Sequence, residues 1–196
     1  MAWKNKSSAT FSGGSGQMAV IGELLHRKCN AAVPHVDVGT DVFAFRDDRE
    51  DVARVQVKTS PGVRYRNGGG YHAKFGIPMV QLSRADALPL FYALAVRLGH
   101  RWGSFIVIGR AKLEALWDDG LGSENRRSGD LELYIQFRAV EEEDRAGRMA
   151  TEGEPKLRAR CGRFDLSDYI DAWETLPPLR SRIGTDIDEF GTGTVD

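Results

Sequence analysis

Asp41, Gln56 and Lys58 are the residues whose types and spacing can do chemistry together. Asp41 opens the apolar run Asp41-Val42-Phe43-Ala44-Phe45, and Gln56 and Lys58 interrupt the run Val55-Gln56-Val57-Lys58-Thr59. Aspartate is depleted in strands, and a charge carried into an apolar layer is costly unless something pairs with it. The charged segment Arg46-Asp47-Asp48-Arg49-Glu50-Asp51 separates the two runs and reads as a turn. If the runs pair antiparallel about it, Phe45 faces Val52 and Asp41 faces Gln56, with Cβ atoms about 5 Å apart. Lys58, two residues beyond Gln56, points to the same face. A slip of one residue would undo the arrangement.

A carboxylate, an amide oxygen and an ammonium on one patch suit a hard divalent cation and a phosphate. Magnesium takes oxygen ligands near octahedral geometry, and Asp41, the Gln56 side-chain oxygen and the Val57 carbonyl offer them. Glu23 adds a second carboxylate if its helix crosses the strand ends. Such a cation polarises a phosphodiester and activates water. Lys58 then stabilises the charge that develops on phosphate, or orients the attacking water.

The elements that must hold these residues follow from periodicity. Residues 1–16 are polar, end in Ser12-Gly13-Gly14-Ser15-Gly16, and read as a mobile lead-in; no Gly-Lys-Ser/Thr follows, so this is not a phosphate loop of the Walker type. Gln17 to Cys29 reads as a helix through Met18, Ile21 and Leu25, capped by Ser15 or Gly16. Ala31 to Val36 is a short strand made irregular by Pro34. The extended runs Val38 to Phe45 and Val52 to Thr59 present Val38, Thr40, Val42, Ala44 and Ala53, Val55, Val57, Thr59 on one face. Small and β-branched residues of this kind suit a sheet face covered by helix.

Residues 60–76 read as a loop rich in glycine, basic and aromatic residues, in which Arg64, Arg66 and Lys74 would neutralise phosphates and Tyr65 or Tyr71 would stack on bases. Ile77 to Leu82 reads as a strand. A helix follows, with Ser83 as cap and Leu90, Leu94 and Leu98 along one side. Phe105 to Gly109 reads as a strand, Leu113 to Trp117 as a short helix, and Leu131 to Phe137 as a half-buried strand. Residues 139–163 are charged and poor in apolar side chains and read as a mobile loop. Ser167 to Leu176 reads as an amphipathic helix within a C-terminal extension, 164–196, that packs on the core of residues 17–138. The order describes an α/β fold with a mixed central sheet.

Composition removes several classes. Lys and Arg total 27 against 28 Asp and Glu, so net charge does not favour nucleic acid, and any phosphate-binding surface must come from local clustering. Cys29 and Cys161 stand far apart, and the ligands of a zinc cluster are missing. The N-terminal residues lack a secretory pattern, and no apolar stretch reaches the ~18 residues of a membrane span. The sequence reads as cytoplasmic.

Asp41 with its apolar run, then Gln56-Val57-Lys58-Thr59-Ser60, and Gly22-Glu23 in the preceding helix, resembles the PD-(D/E)XK nuclease superfamily over roughly residues 17 to 110. Many members, including Holliday-junction resolvases and some restriction enzymes, have such a helix glutamate. The resemblance implies a restriction-endonuclease-like core of αβββαβ order and a magnesium- or manganese-dependent DNA endonuclease serving restriction, anti-phage defence or repair. Asp41 would be the metal-binding acid, Gln56 would stand where a second acid usually stands, Lys58 would be the motif lysine and Glu23 the helix acid. Thr40 stands in place of the motif proline, and Gln56 removes one negative charge, which Glu23 would restore; Asp37 is a spare carboxylate. His26, one helical turn from Glu23, would border the site. Cutting both strands implies two sites and hence a homodimer. The Gln56 substitution also fits a non-catalytic nucleic-acid-binding or assembly subunit, and nothing in the residues separates DNA from RNA.

Overall fold

The computed structural model of the chain describes residues 6–36, 39–46, 49–66, 68–84, 88–140 and 156–176. In chain order its elements are α1 (Lys6–His26), β1 (Asn30–Ala32), β2 (Val42–Arg46), β3 (Arg49–Pro61), β4 (Val63–Arg64), β5 (Gly70–Pro78), α2 (Met79–Leu82), β6 (Leu90–Leu98), β7 (Arg101–Gly109), α3 (Arg110–Asp118), β8 (Ser123–Asn125), β9 (Asp130–Ala139), β10 (Leu157–Cys161) and β11 (Phe164–Asp165). Two single 3-10 turns, Ser167–Tyr169 and Trp173–Thr175, follow. The strands form two sheets: a mixed one in the order β1-β2-β3-β6-β7, and an antiparallel one in the order β11-β10-β9-β5-β4, with β8 on β9. Among the described strands, only β3 and β6 run parallel. No helix among the described residues is long and apolar enough to cross a membrane.

The β2–β3 hairpin has the register that alternation predicts, with Val42 facing Val55, Ala44 facing Ala53 and Phe45 facing Val52, before a shift at Arg46. The first sheet is covered on both sides. Ala53, Val55 and Val57 of β3 lie in one apolar cluster with Val20, Leu24 and Trp173. The other face packs Tyr92, Leu94 and Val96 of β6 against Ala73, Phe75, Leu133 and Ile135 of the second sheet. Cys29 belongs to the first cluster and Cys161 to the second, so the two thiols do not meet; both are buried and free.

Several elements depart from the sequence reading. Residues 90–98 form a strand rather than a helix. Leu90 to Val96 are all buried, as a central strand covered on both faces requires, and such a run satisfies helical spacing equally well. Residues 60–76 are mostly strand: β3 runs on to Pro61, and β5 alternates Tyr71, Ala73, Phe75 and Ile77 inward against His72, Lys74 and Gly76 outward. Its glycines and charges mask an ordinary period-two pattern. The expected strand Ile77 to Leu82 instead ends β5 and becomes α2. β10 falls inside the segment expected to be a loop, while residues 141–155 lie outside the described residues, as do 1–5 and 177–196.

Helix α1 starts at Lys6 rather than Gln17, and its buried stripe is Gly16, Val20 and Leu24, with Met18 and Leu25 more than half exposed. Gly16 sits directly on β3: a Cβ there would lie 2.0 Å from Thr59 Oγ1. The glycine that reads as a possible helix cap is thus a point of close helix–sheet approach. Tertiary packing outweighs its low helix propensity.

Ser167 to Leu176 is not one helix. Asp171 (φ +50°) turns the chain so that its N–H donates to the Phe105 carbonyl at 2.8 Å while its Oδ1 accepts the Phe105 N–H at 3.0 Å. The segment thereby covers the outer edge of β7, which would otherwise present unpaired backbone groups. Trp173 is fully buried, edge-on to Phe105 at 5.3 Å, with the Arg27 guanidinium 5.5 Å over its ring. Trp173→Ala therefore costs about 3–5 kcal/mol, to be read as a fall in the urea midpoint without a change in slope.

Candidate active site

Asp41 stands immediately before β2, where the β2–β3 ladder runs out. Its N–H donates to the Val55 carbonyl at 3.0 Å, adding one more rung. Its carboxylate then takes the place of the next backbone acceptor: Oδ2 accepts the Val57 N–H at 2.6 Å and a short hydrogen bond from Gln56 Nε2. The Asp41 carbonyl accepts from Gln17 Nε2 of α1 at 2.6 Å. A strand residue directs its N–H and C=O to the same edge. The Val57 carbonyl thus points, like its N–H, to the edge that β2 no longer covers.

Gln56 is buried, at 6% exposure, and its orientation is set from outside the hairpin. Gln81 of α2 donates Nε2 both to the Gly39 carbonyl and to Gln56 Oε1, each at 2.8 Å. The Gly39 carbonyl can only accept, so it fixes which end of the Gln81 amide faces it. Gln81 in turn fixes the Gln56 oxygen, which leaves the Gln56 nitrogen aimed at Asp41. In this orientation Gln56 acts on the carboxylate rather than offering it a second oxygen. Gln81 Oε1 is buried and has no hydrogen-bond partner among the described residues, an acceptor left open beside the pair.

Gly39 (φ +91°) makes this relay possible: a Cβ there would lie 2.7 Å from Gln81 Nε2. Gly39→Ala combines a left-handed backbone with that clash and is expected to lose about 1–3 kcal/mol. Gly13→Ala, at a helical position with open space around it, should gain up to about 1 kcal/mol from helix propensity. Paired urea titrations of the two variants check both signs.

Lys58 shares the face of Gln56, is half-buried, and makes no ion pair or hydrogen bond among the described residues. Two residues on, Ser60 Oγ accepts the Lys74 N–H at 3.3 Å, which ties β5 to the strand that carries the site.

Glu23 is placed elsewhere. It forms an ion pair with Arg27 one turn along α1. Successive helix residues are about 100° apart, so Gln17 and Glu23 lie on opposite flanks of the Gly16–Val20–Leu24 stripe. The residue that α1 extends to Asp41 is Gln17. His26 is exposed, and Asp37 lies outside the described residues. Among the described residues, no three His, Cys, Asp or Glu side chains group as a metal site.

Of the residues expected to meet nucleic acid, Arg64 and Arg66 are exposed. Lys74 pairs with Glu132 at 2.8 Å. The bond from Lys74, then one from Asn125, hold the Glu132 carboxyl below its usual range. Tyr71 cannot stack on a base as expected: it is buried, its ring lies 4.7 Å from Phe137, and its hydroxyl accepts the Ser104 N–H at 3.2 Å. Burial raises the Tyr65 phenol above its usual range, with the Arg138 guanidinium 4.6 Å over its ring.

Gln17, Gly39 and Gln81 were not legible as site residues. Gln81 lies 25 positions from Gln56 and Gln17 lies 24 from Asp41, with no local motif linking them.

The sequence matches no family model and no curated protein. Among solved structures, the bacterial homing endonuclease I-Ssp6803I is similar over 84% of this chain and 88% of that one, at 17% identity and a TM-score of 0.44.

Proposed function

We propose that the chain is a metal-dependent endonuclease that hydrolyses phosphodiester bonds in DNA. What supports the reading is the Asp41 carboxylate held on the Val57 N–H where β2 ends, on a strand whose half-buried Lys58 makes no hydrogen bond or ion pair among the described residues. Magnesium or manganese fits this set as a cation that keeps most of its waters, held by Asp41 and the Val57 carbonyl and completed by substrate phosphate. The open Gln81 Oε1 acceptor beside the pair supports a hydrated ion there. When bound, the ion supplies charge neutralisation at the phosphate and a more acidic water.

The protein's own part is to position. Val57 N–H and Gln56 hold the Asp41 carboxylate, and Lys58 meets the charge that develops on the scissile phosphate. Glu23, held by Arg27, is not required. RNA is a separate substrate class that the same chemistry could cut. A second reading is a non-catalytic nucleic-acid-binding or assembly subunit, and the presence of one carboxylate at the site among the described residues favours it.

Supercoiled plasmid with magnesium or manganese decides between the two. Nicking or linearisation is expected from the wild type and at least about a hundredfold less from Asp41→Asn and Lys58→Ala. Wild-type protein that binds DNA without cutting it, with either metal, would overturn the catalytic reading; an RNA duplex run alongside assigns the substrate class.

Cutting both strands with one site per chain calls for two copies, and we propose a homodimer. The exposed side of α1 supports one, since Phe11, Met18 and Leu25 recur at heptad spacing along it. Leu25→Glu is expected to halve the mass seen by sedimentation velocity; an unchanged mass would remove α1 from the interface.

A further inference from the structure

We propose that the outer face of the second sheet is a docking surface for duplex DNA, centred on Arg138, Arg158 and Arg160 with His72, Tyr134 and Gln136 between them. The proposal rests on the nuclease reading and adds a surface that holds the duplex outside the site itself.

Strand alternation puts these residues on one side. β9 turns Leu133, Ile135 and Phe137 into the core and Tyr134, Gln136 and Arg138 outward, and β10 turns Ala159 and Cys161 inward and Arg158 and Arg160 outward. The register then sets Arg158 directly opposite Arg138, Arg160 opposite Gln136, and His72 opposite Gln136 from the other side. All three arginines are exposed, and Tyr134 is 45% exposed.

Two like charges facing each other across a ladder destabilise the sheet. A row that places Arg158 against Arg138 gives up stability that an anionic partner restores. Among the described residues the carboxylates nearby are already engaged by other donors, with Asp165 facing Arg160 across the β10–β11 pair. Glu132 is bonded to Lys74 and Asn125, and Asp165 accepts from the Ser167 N–H at 2.9 Å and from its hydroxyl at 2.5 Å. Those two hydrogen bonds lower the Asp165 carboxyl first, and Arg158 and Arg160 lower it further only in lesser part. The guanidinium forks suit phosphate oxygens bidentately, and guanidinium with interleaved aromatic and amide side chains is the composition of a nucleic-acid surface rather than of an acidic-peptide groove. β-sheets dock on duplexes in this way. The Lys74 N–H to Ser60 bond ties β5 to the strand of Lys58, with the docking face on the far side of the second sheet from that strand.

The test uses the full chain carrying Asp41→Asn, so that binding is read without cutting. Anisotropy of a short labelled duplex is followed across a salt series for this parent, for Arg138→Gln/Arg158→Gln/Arg160→Gln added to it, and for Lys28→Gln/Arg101→Gln/Lys112→Gln as a control of equal charge on exposed residues elsewhere. The expected result is binding weakened at least about tenfold by the first triple and not by the control. The log–log salt slope should fall by about 0.9 for each phosphate that the arginines no longer neutralise. Thermal denaturation of the first triple should give a nearly unchanged Tm, relief of the Arg138–Arg158 repulsion offsetting loss of the Arg138–Tyr65 contact. Equal binding by both triples would overturn the docking surface and leave the nuclease reading standing. A parent that binds no duplex would overturn it too, and plasmid cleavage by the wild type then reports separately on the active site.

Discussion

The structure around the site depends on one substitution of chemistry for backbone: where the β2–β3 ladder loses its strand partner, the Asp41 carboxylate takes over as acceptor for the Val57 N–H. A hydrogen bond to an ionised acceptor is roughly twice as strong as a neutral one, so the carboxylate closes the ladder firmly while its chain bends away. The same residue is held by Val55 through its N–H and by Gln17 of α1 through its carbonyl. Hairpin register, helix docking and carboxylate position are therefore one constraint.

Burial divides the work between the two faces of β3. Ala53, Val55 and Val57 carry packing, and Gly16 lets α1 lie close enough for Gln17 to reach Asp41. Gln56, Lys58 and Ser60 are on the other face, between the sheets, beside a β6 that is buried along most of its length. Polar groups in such a place need partners, and the amide chain from Gly39 through Gln81 to Gln56 supplies them. Lys58 is the residue in this row left without one among the described residues. On the proposed nuclease reading, its charge is left for a substrate phosphate.

The part of this that the sequence made legible is the part that is local. Period-two alternation across a short turn specified the β2–β3 register, because small and β-branched residues on one face made a slip expensive. The same logic failed for residues 90–98, where a strand buried on both faces has no alternation to show. It failed for residues 70–78, where glycine and charge obscured an alternation that was present. On α1 the apolar residues lie on more than one side, so spacing alone did not say which stripe the sheet would take. The sheet took the one containing Gly16, and that choice brought Gln17 rather than Glu23 to Asp41. The amide relay joins residues far apart in the chain by geometry that no local pattern encodes.

Charge followed the same rule. The nearly equal numbers of acidic and basic residues leave a net charge that by itself gave no hint of a polyanion partner. Yet Arg138, Arg158 and Arg160 come from strands separated by a long insertion, and only the β9–β10 register sets two of them face to face. A sheet can concentrate charge on one side without any cluster in sequence, because every second residue points the same way. Long like-charge runs repel locally and tend to stay solvated. Alternating arginines on paired strands instead have their Cα positions fixed by the ladder, on the side of the sheet away from the core. A fixed backbone spacing of charges is what the proposed docking of a stiff, regularly charged duplex would use, while the exposed side chains still lose freedom on binding.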